Sequence, residues 1–310
     1  NRYPPRQRWR EECAAARMPI VRDIVPVYGT ESWMAPNIVF MGDNKWVKVE
    51  EDPSAPRPPK PVDAAFKRPT TSILVSIAAL RETRCPETLR SIFGNASNPE
   101  RVRVSLVQQN SAGDPDCLAL ACEARGAPLV QNTSGGWENP HGCNIFDRVR
   151  VLRMSTDEAK GPLYARALGH TLLRDDDEFC LQIDAHTIFG NAWDREMLLE
   201  WGATENEFAI LSTYPTGNSD PYVNVNRHWE MPHLCAARFL RAGVVRNSIA
   251  KAAANLERPL LAPLWAAGLS FGRCHADRLV PQNLPLPPPC PVAALPLPIP
   301  HFPIPRAHPT

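Results

Sequence analysis

One short stretch near the middle of the chain, residues 178–189, constrains the fold more than any other. Residues 179–183 (FCLQI) are nearly all apolar, which predicts a short strand buried on both faces. This strand delivers Asp184 to its carboxyl end, and His186 follows two residues later. Open α/β sheets bind their ligands at the carboxyl ends of the strands, so the pair is a candidate metal site. From position alone, the alternative is an Asp that caps a turn and a His that fills a loop.

The patterns on either side of this strand predict an α/β protein. Strand-like and helix-like runs alternate, which favours a mostly parallel, Rossmann-like sheet with helices on both faces. The predicted strands are 72–78, 101–107, 150–154, 179–183 and 208–212, and the predicted helices are 86–93, 116–125, 162–173 and 193–201. A further helical stretch is expected near Cys235–Ala242, and the Gly- and Asn-rich residues 128–146 are expected to form a long loop.

Proline-rich segments predict the limits of this domain. Residues 1–69 are rich in proline and read as a stem or N-terminal extension that wraps a domain without forming one. The domain itself is predicted for residues 70–280. Residues 281–310 are dominated by Pro, Leu and Ala and are predicted to be an irregular, polyproline-like or disordered tail.

Charge and hydropathy exclude two classes of partner. The net charge is +1, which disfavours a nucleic-acid partner. No apolar run approaches the roughly 18 residues of a membrane-spanning helix, and no signal peptide opens the chain. The first residue is Asn, so an upstream anchor or leader stays an open alternative.

The nine cysteines form an odd set that contains no Cys-x-x-Cys pair. This pattern predicts mostly buried, reduced thiols in preference to a complete disulfide framework or a zinc module, with a few bridges left open. Two glycosylation acceptor sequences, Asn95-Ala-Ser97 and Asn132-Thr-Ser134, matter only if the chain enters the secretory pathway.

A second candidate binding feature is the cationic start of the predicted helix at residue 162. Lys160 and Gly161 lie at its entrance and Arg166 lies one turn in, so backbone amides, the helix dipole and two cations could bind a diphosphate. The alternative is a solvated helix start with Arg166 paired to Asp175–Asp177. Neither a P-loop nor a Gly-x-Gly-x-x-Gly follows the first strand, which argues against a P-loop kinase or a Rossmann dehydrogenase.

Several of these motifs together resemble the polypeptide hydroxyproline N-acetylglucosaminyltransferases, relatives of the cytoplasmic glycosyltransferase that modifies a ubiquitin-ligase adaptor in social amoebae and other protists. The resemblance covers about residues 70–280. It is carried by Val75-Ser-Ile-Ala78 with Arg81, Cys85-Pro86-Glu-Thr-Leu89, Asn98-Pro-Glu-Arg-Val102, Arg150–Arg153, Glu158-Ala-Lys-Gly-Pro162, Ala165-Arg166 and Leu181-Gln-Ile-Asp-Ala-His186.

The resemblance implies a GT-A-like fold and an enzyme that transfers N-acetylglucosamine from UDP-N-acetylglucosamine to a hydroxyl of a protein, either hydroxyproline or Ser/Thr. It implies a divalent metal, preferably Mn²⁺, held by Asp184 and His186 as the family's Asp-x-Asp-like motif. An imidazole ligand also favours Mn²⁺ over Mg²⁺. By the same resemblance, Ser76, Ile77, Ala78 and Arg81 surround the uridine, and Lys160, Gly161 and Arg166 lie near the sugar diphosphate.

On the acceptor side, the resemblance implies that residues 265–271 (WAAGLSF) line the acceptor and that the anomeric carbon keeps its configuration. His275 is a candidate third metal ligand, with a structural loop histidine as the alternative. After Pro281 the chain departs from the family, which continues into an acidic segment and a His-containing region. We therefore expect a C-terminally incomplete glycosyltransferase domain.

That departure leaves two alternatives to an active transferase. One is a catalytically defective relative that still binds the nucleotide sugar, and the other is a proline-rich interaction protein whose tail docks on SH3- or WW-like modules. The resemblance favours a cytoplasmic location. The stem-like residues 1–69 and the two acceptor sequences would instead suit the Golgi lumen if an N-terminal anchor has been lost.

Overall fold

The computed structural model describes residues 57–215 without a gap. It also describes shorter segments on both sides, which are residues 20–26, 37–42, 45–50, 54, 230–234, 237–240, 243, 245–247, 251–254, 256–262 and 264–275. The predicted tail, residues 281–310, lies outside the described residues.

Strands outnumber helices in these segments. The strands are β1 (Ile20–Pro26), β2 (Ile38–Gly42), β3 (Lys45–Glu50), β4 (Ile73–Leu80), β5 (Val102–Asn110), β6 (Val130–Gln131), β7 (Trp137–Glu138), β8 (Val149–Ser155), β9 (Phe179–Asp184), β10 (Ile210–Ser212), β11 (Glu230–His233), β12 (Ala237–Phe239), β13 (Val245–Asn247), β14 (Lys251–Ala254) and β15 (Leu269–Arg273). The helices are α1 (Cys85–Gly94), α2 (Cys117–Glu123), α3 (Pro162–His170) and α4 (Trp193–Ala203).

A six-stranded sheet forms the centre, in the order β10-β15-β9-β4-β5-β8. Strands β9, β4, β5 and β8 run parallel. At one edge β15 pairs antiparallel with β9, and β10 pairs antiparallel with β15. The prediction of an α/β fold with a mostly parallel sheet is confirmed. The long apolar runs of β4, β5 and β9 are the physical reason, because these strands are covered on both faces.

Helices cover both faces of the sheet. On one face, Val75 and Ile77 of β4 belong to the main core cluster, together with buried residues of α1, α2 and α4. On the other face α3 packs closely, and a Cβ on its Gly169 would lie 3.2 Å from Ser76 Oγ and 3.5 Å from Ser105 Oγ. The absence of a side chain at Gly169 therefore lets α3 approach the strands that carry the candidate site.

The flanking segments form strands that the sequence patterns did not predict. The predicted extension contributes β1, β2 and β3 to a second sheet, in the order β1-β3-β2-β14-β11, so it pairs with strands from residues 230–254. The helical stretch expected near Cys235–Ala242 is wrong where it is described, because Ala237–Phe239 pairs with Val245–Asn247 as an antiparallel hairpin. Short segments of this kind acquire strand structure from their pairing partners, which local propensity does not reveal.

The cysteine prediction needs a correction. All six cysteines in the described part of the chain are disulfide-bonded, as Cys85–Cys117, Cys122–Cys143 and Cys180–Cys274. The other three cysteines of the sequence lie outside the described residues. The partners are 21 to 94 residues apart. Their pairing depends on which helices and strands become neighbours, and cysteine spacing alone does not show this.

Among the helices that the structure describes, the longest is α4, with 11 residues. None of them has the length and apolar composition of a helix that crosses a bilayer.

Candidate active site

Asp184 lies where the sequence predicts it, as the last residue of β9. Strand β9 runs parallel to β4, and Asp184 is in register with Ala78. The carboxyl ends of these two strands therefore meet at one edge of the sheet, which is the usual position of a ligand site in such folds. Asp184 Oδ1 accepts a hydrogen bond of 3.0 Å from Arg166 Nη2, donated across from α3.

Arg166 is held at this edge by its helix and is mostly covered, with 15% of its side chain exposed. Its Nε is buried and has no hydrogen-bond partner among the residues that the structure describes. The carboxylate that pairs with Arg166 is Asp184 and not the alternative run Asp175–Asp177, of which Asp176 and Asp177 are bound by Arg103 and Arg150. Arg166 thus keeps a buried donor beside Asp184, where an anion could bind.

His186 lies just beyond Asp184 and is exposed. Its Nδ1 is 3.0 Å from Oε2 of Glu82, which follows β4. Burial of Glu82 acts to raise its pKa, but the hydrogen bonds from the Arg84 N–H and from His186 outweigh burial, and the pKa of Glu82 falls below its ordinary value. Sequence reasoning missed Glu82, although it lies in the loop that directly follows the first domain strand.

A metal at Asp184 and His186 would need further ligands beyond those two side chains. No group of three or more His, Cys, Asp or Glu that could hold a metal is found among the described residues. Two protein ligands still fit a metal that also binds a diphosphate, because such ions take one or two carboxylates, substrate phosphates and waters. The donor set of one carboxylate and one imidazole is therefore compatible with a metal that arrives with the nucleotide sugar.

His275 is not brought to this edge of the sheet. Strand β15 runs antiparallel to β9, with Leu269 opposite Ile183 and Arg273 opposite Phe179. His275 therefore follows β15 at the amino end of β9, roughly 15 Å or more from Asp184 along the strand. Its Nδ1 lies 3.9 Å from a carboxylate oxygen of Glu207. This placement excludes His275 as a ligand of the same metal and fits a structural loop histidine.

The opposite end of β15 does reach Asp184. A Cβ on Gly268, just before this strand, would lie 3.1 Å from Asp184 Oδ2. Trp265 is close by in sequence and 48% exposed, and its indole N–H donates to Ser270 Oγ at 2.8 Å. The segment proposed to line the acceptor thus passes beside the candidate metal ligand at Gly268, and its first residue, Trp265, is partly exposed to solvent.

The residues predicted around the uridine occupy different environments. The Ser76 and Ala78 side chains are half-buried on the α3 face, whereas the Ile77 side chain is 1% exposed and belongs to the core. Ile77 can therefore contact a nucleotide only through its backbone. Arg81 forms a two-pronged ion pair with Asp114, at 2.9 and 3.2 Å.

The residues predicted near the diphosphate lie at the start of α3. Gly161 is the N-cap residue and has a φ of 91°, a left-handed conformation that favours glycine. Lys160 is exposed, with its Nζ 5.1 Å from the ring centroid of Tyr164. The first amides of α3 and the Lys160 charge therefore lie on the helix that brings Arg166 to Asp184.

A cavity of about 540 Å³ lies beside Arg81 and was not anticipated from the sequence. Its lining includes polar groups from the carboxyl ends of β5 and β8 and from the hairpin β6–β7, among them Gln108, Asn110, Asp114, Asp116, Trp137 and Arg153. The alternation of β5 was visible in the sequence. The sequence did not show that the loop with β6 and β7 also lines the cavity. That loop lies between Cys122 of α2 and Cys143, which are joined by a disulfide.

Asp116 is the best-bonded carboxylate of this cavity. It accepts from Arg153 Nε at 2.7 Å, from Gln108 Nε2 at 3.1 Å and from the Ala119 N–H at 2.9 Å, where it caps α2. Burial acts to raise the pKa of Asp116, but these hydrogen bonds outweigh burial and hold its pKa below the ordinary value.

We therefore expect Asp116→Asn to lower the free energy of unfolding by about 1–2 kcal/mol near pH 7, since a charge-assisted pair is lost and the cap is kept. A lowered pKa stabilises the fold above the ordinary Asp pKa of about 4, and this stability is lost as the pH falls through the lowered value. Urea unfolding should show the difference from the unchanged chain shrinking below about pH 4. The exposed Asp157→Asn, with the same charge change, is the control. An equal effect of both substitutions would contradict the prediction.

Comparison with known proteins assigns the class and then the family. Residues 72–287 match the family model described as Glycosyltransferase (GlcNAc). The match spans more than half of the chain and includes each of the candidate residues from Ser76 to His275. The chain therefore belongs to this glycosyltransferase family, and the prediction of a GT-A-like α/β class is confirmed at that level. No relative was found among curated protein sequences.

One solved structure is loosely similar. It is the mannosyltransferase PcManGT from Pyrobaculum calidifontis in complex with GDP-Man and Mn²⁺, at 14% identity and a TM-score of 0.38. The alignment covers 74% of this chain and 52% of that one, so this chain spans about half the length of that structure. An overlap at this score carries no argument about the site, which rests on the geometry above.

Proposed function

We propose that this protein is a metal-dependent, retaining glycosyltransferase that moves N-acetylglucosamine from UDP-N-acetylglucosamine to a protein hydroxyl, on hydroxyproline or Ser/Thr. The observation that carries the proposal is the contact between Asp184 and Arg166 at the carboxyl end of β9. The family match supports the transfer of N-acetylglucosamine. The acceptor class rests on the sequence resemblance to the hydroxyproline-modifying enzymes.

In this proposal the start of α3 binds the diphosphate of the donor. The Arg166 Nε is buried without a partner and can donate to a phosphate oxygen, while Arg166 Nη2 keeps Asp184 in place. The free amides at the helix start and Lys160 add positive charge from the same side. Asp184 and His186 would hold Mn²⁺, which would supply charge that stabilises the leaving diphosphate.

The nucleoside would extend from the diphosphate toward Arg81 and the neighbouring cavity. Ser76 and Ala78 lie on the α3 face, whereas the cavity lies on the α2 face, so the nucleoside would pass over the carboxyl edge of the sheet beside the Arg81–Asp114 pair. The amide of Gln108 already bonds Asp116 and the Cys117 N–H, whereas the indole of Trp137 offers a flat apolar surface. A cavity with a few directed polar groups and one aromatic side chain suits a pyrimidine base.

On the acceptor side, Gly268 approaches Asp184, and the exposed Trp265 precedes it by three residues. In a retaining reaction without a protein base, the departing phosphate oxygen takes the acceptor proton on the face where the new bond forms. The chain then needs only to position the acceptor hydroxyl near the leaving phosphate. The segment that contains Gly268, with the exposed Trp265 before it, would border that position.

The proposal is tested by following UDP release from UDP-N-acetylglucosamine in the presence of Mn²⁺, with GDP-mannose as the comparison donor. We expect UDP to be released from UDP-N-acetylglucosamine, and no release of GDP from GDP-mannose. Chelation of the metal should abolish the release of UDP, and a hydroxyproline-containing protein should accelerate it. Binding of the UDP sugar without release would identify a nucleotide-sugar-binding relative that lacks transfer. Neither binding nor release by a folded chain would refute the proposal.

A further inference from the structure

The disulfides bear on the compartment in which the chain folds. Every cysteine in the described part of the chain is bonded to another, and the three bridges tie α1 to α2, α2 to the following loop, and β9 to the end of β15. Stable structural disulfides form in secretory compartments and are rare in the cytosol, where thiols are kept reduced. Each bridge forms when two thiols pass two electrons and two protons to a disulfide oxidant of the compartment.

In such a compartment the two Asn-x-Ser sequences become candidate modification sites, and the structure separates them. Asn132 lies beside the short hairpin β6–β7 on an exposed surface. Its Oδ1 accepts from the Ser134 Oγ at 2.8 Å and from the Gly136 N–H at 2.8 Å. Its Nδ2 donates at 3.2 Å to an oxygen of the exposed Glu138 side chain. The amide nitrogen of Asn132 is thus bonded to an exposed side chain that can move away from a glycan, and the sequon serine is bonded to the same Asn132 side chain.

Asn95 is half-buried like Asn132 but differs in its hydrogen-bond partners. Its Nδ2 donates at 2.6 Å to the main-chain carbonyl of Phe189, and the main-chain carbonyl of Asn95 accepts from the Ala192 N–H at 2.6 Å. The serine of this sequon, Ser97, donates through its hydroxyl to the fully buried Asp194. A glycan on Asn95 would have to displace the 189–192 loop, so the folded chain cannot carry one there.

We propose that this protein folds in an oxidising, luminal compartment and is N-glycosylated there at Asn132 and not at Asn95. The Asn132 amide nitrogen bonds to the anomeric carbon of an oligosaccharide supplied on a lipid diphosphate. It loses one proton, and the lipid diphosphate leaves. The modified nitrogen keeps one hydrogen for Glu138, so the hairpin contacts survive. Of the two locations considered from the sequence, the proposal selects the luminal one.

The experiment uses the chain isolated from the cells that make it and the same chain secreted from a eukaryotic host. Peptide N-glycosidase should raise the gel mobility of both by the equivalent of one glycan and convert Asn132 to Asp, read as a mass shift on its peptide. In the host, Asn132→Gln should abolish the shift, whereas Asn95→Gln and Ser134→Thr should retain it. Maleimide labelling of the denatured chain should modify the six bridged cysteines only after reduction.

Three results would overturn the proposal. The first is a folded, secreted chain that the glycosidase does not change. The second is a glycan that disappears with Asn95→Gln and persists with Asn132→Gln. The third is a chain, isolated from the cells that make it, whose bridged cysteines all react with maleimide after denaturation but before reduction. This result would place the chain in a reducing compartment. Both Asn132→Gln and Ser134→Thr alter an exposed turn, so both variants are expected to fold. The same maleimide labelling pattern in each variant verifies this.

Discussion

Replacing Asp184 with alanine is expected to weaken Mn²⁺-dependent binding of UDP-N-acetylglucosamine by at least about a hundredfold, because a ligand of the metal and the partner of Arg166 are lost together. Asp184 lies at the end of β9 with 48% of its side chain exposed, so its removal should leave the fold intact. Calorimetric titration with and without Mn²⁺ measures the effect. Binding in the absence of metal should be weak in both proteins.

Two variants make this test specific. Asp176→Ala removes the same charge near the amino end of β9, where Asp176 pairs with Arg103, and should leave donor binding unchanged. Gly268→Ala keeps the charge but places a methyl group 3.1 Å from Asp184 Oδ2 and should weaken metal-dependent binding. Equal binding by Asp184→Ala and the unchanged chain would refute the metal site. Equal loss in Asp184→Ala and Asp176→Ala would show a nonspecific charge effect.

The second large effect is expected for Asp194→Ala, which should lower the free energy of unfolding by about 3–5 kcal/mol. Asp194 is 0% exposed and accepts from the backbone N–H groups of Ser97 and Asn98, at 2.6 and 3.0 Å. Arg101 Nε lies 3.1 Å from its Oδ2 at an angle that does not form a hydrogen bond. Removal of Asp194 leaves two amides and a nearly buried guanidinium without their acceptor.

Guanidinium unfolding followed by far-UV circular dichroism measures this loss. The control is Glu100→Ala in the same turn, where a solvent-exposed carboxylate pairs with Arg148, so its removal should change stability far less than the loss of Asp194. If both variants lost the same amount of stability, burial of Asp194 would not be the cause. Asp194 starts α4 and fixes the turn at residues 97–101, so the variant should also expose the core beneath α4.

Local pattern was sufficient for the central strands. Residues 179–183 and 72–78 are apolar runs too short for helices and bounded by polar turns, and they form β9 and β4 within two residues of the predicted limits. The helix starts at Pro86 and Pro162 were readable because proline favours the first helical turn. The strands β14 and β15 were not predicted, since Ala- and Gly-containing segments become strands only through their neighbours.

The candidate site likewise combines a residue that the local sequence pattern predicted with contacts that only the folded chain shows. Asp184 was placed correctly because a buried strand must end in a polar residue at the sheet edge. The Arg166 contact, the Glu82–His186 contact and the cavity beside Arg81 join residues up to 104 positions apart. Sequence spacing carries no information on such distances when a sheet crossover intervenes.

The order of apolar runs, turns and prolines was enough for the α/β class and for Asp184 and His186 next to a buried strand, because burial and backbone geometry act over a few residues. The direction of β15, the rejection of His275, the three disulfides and the contrast between Asn132 and Asn95 needed the folded chain. Each depends on which distant segments become neighbours, and that outcome is set by the packing of the whole sheet and its helices.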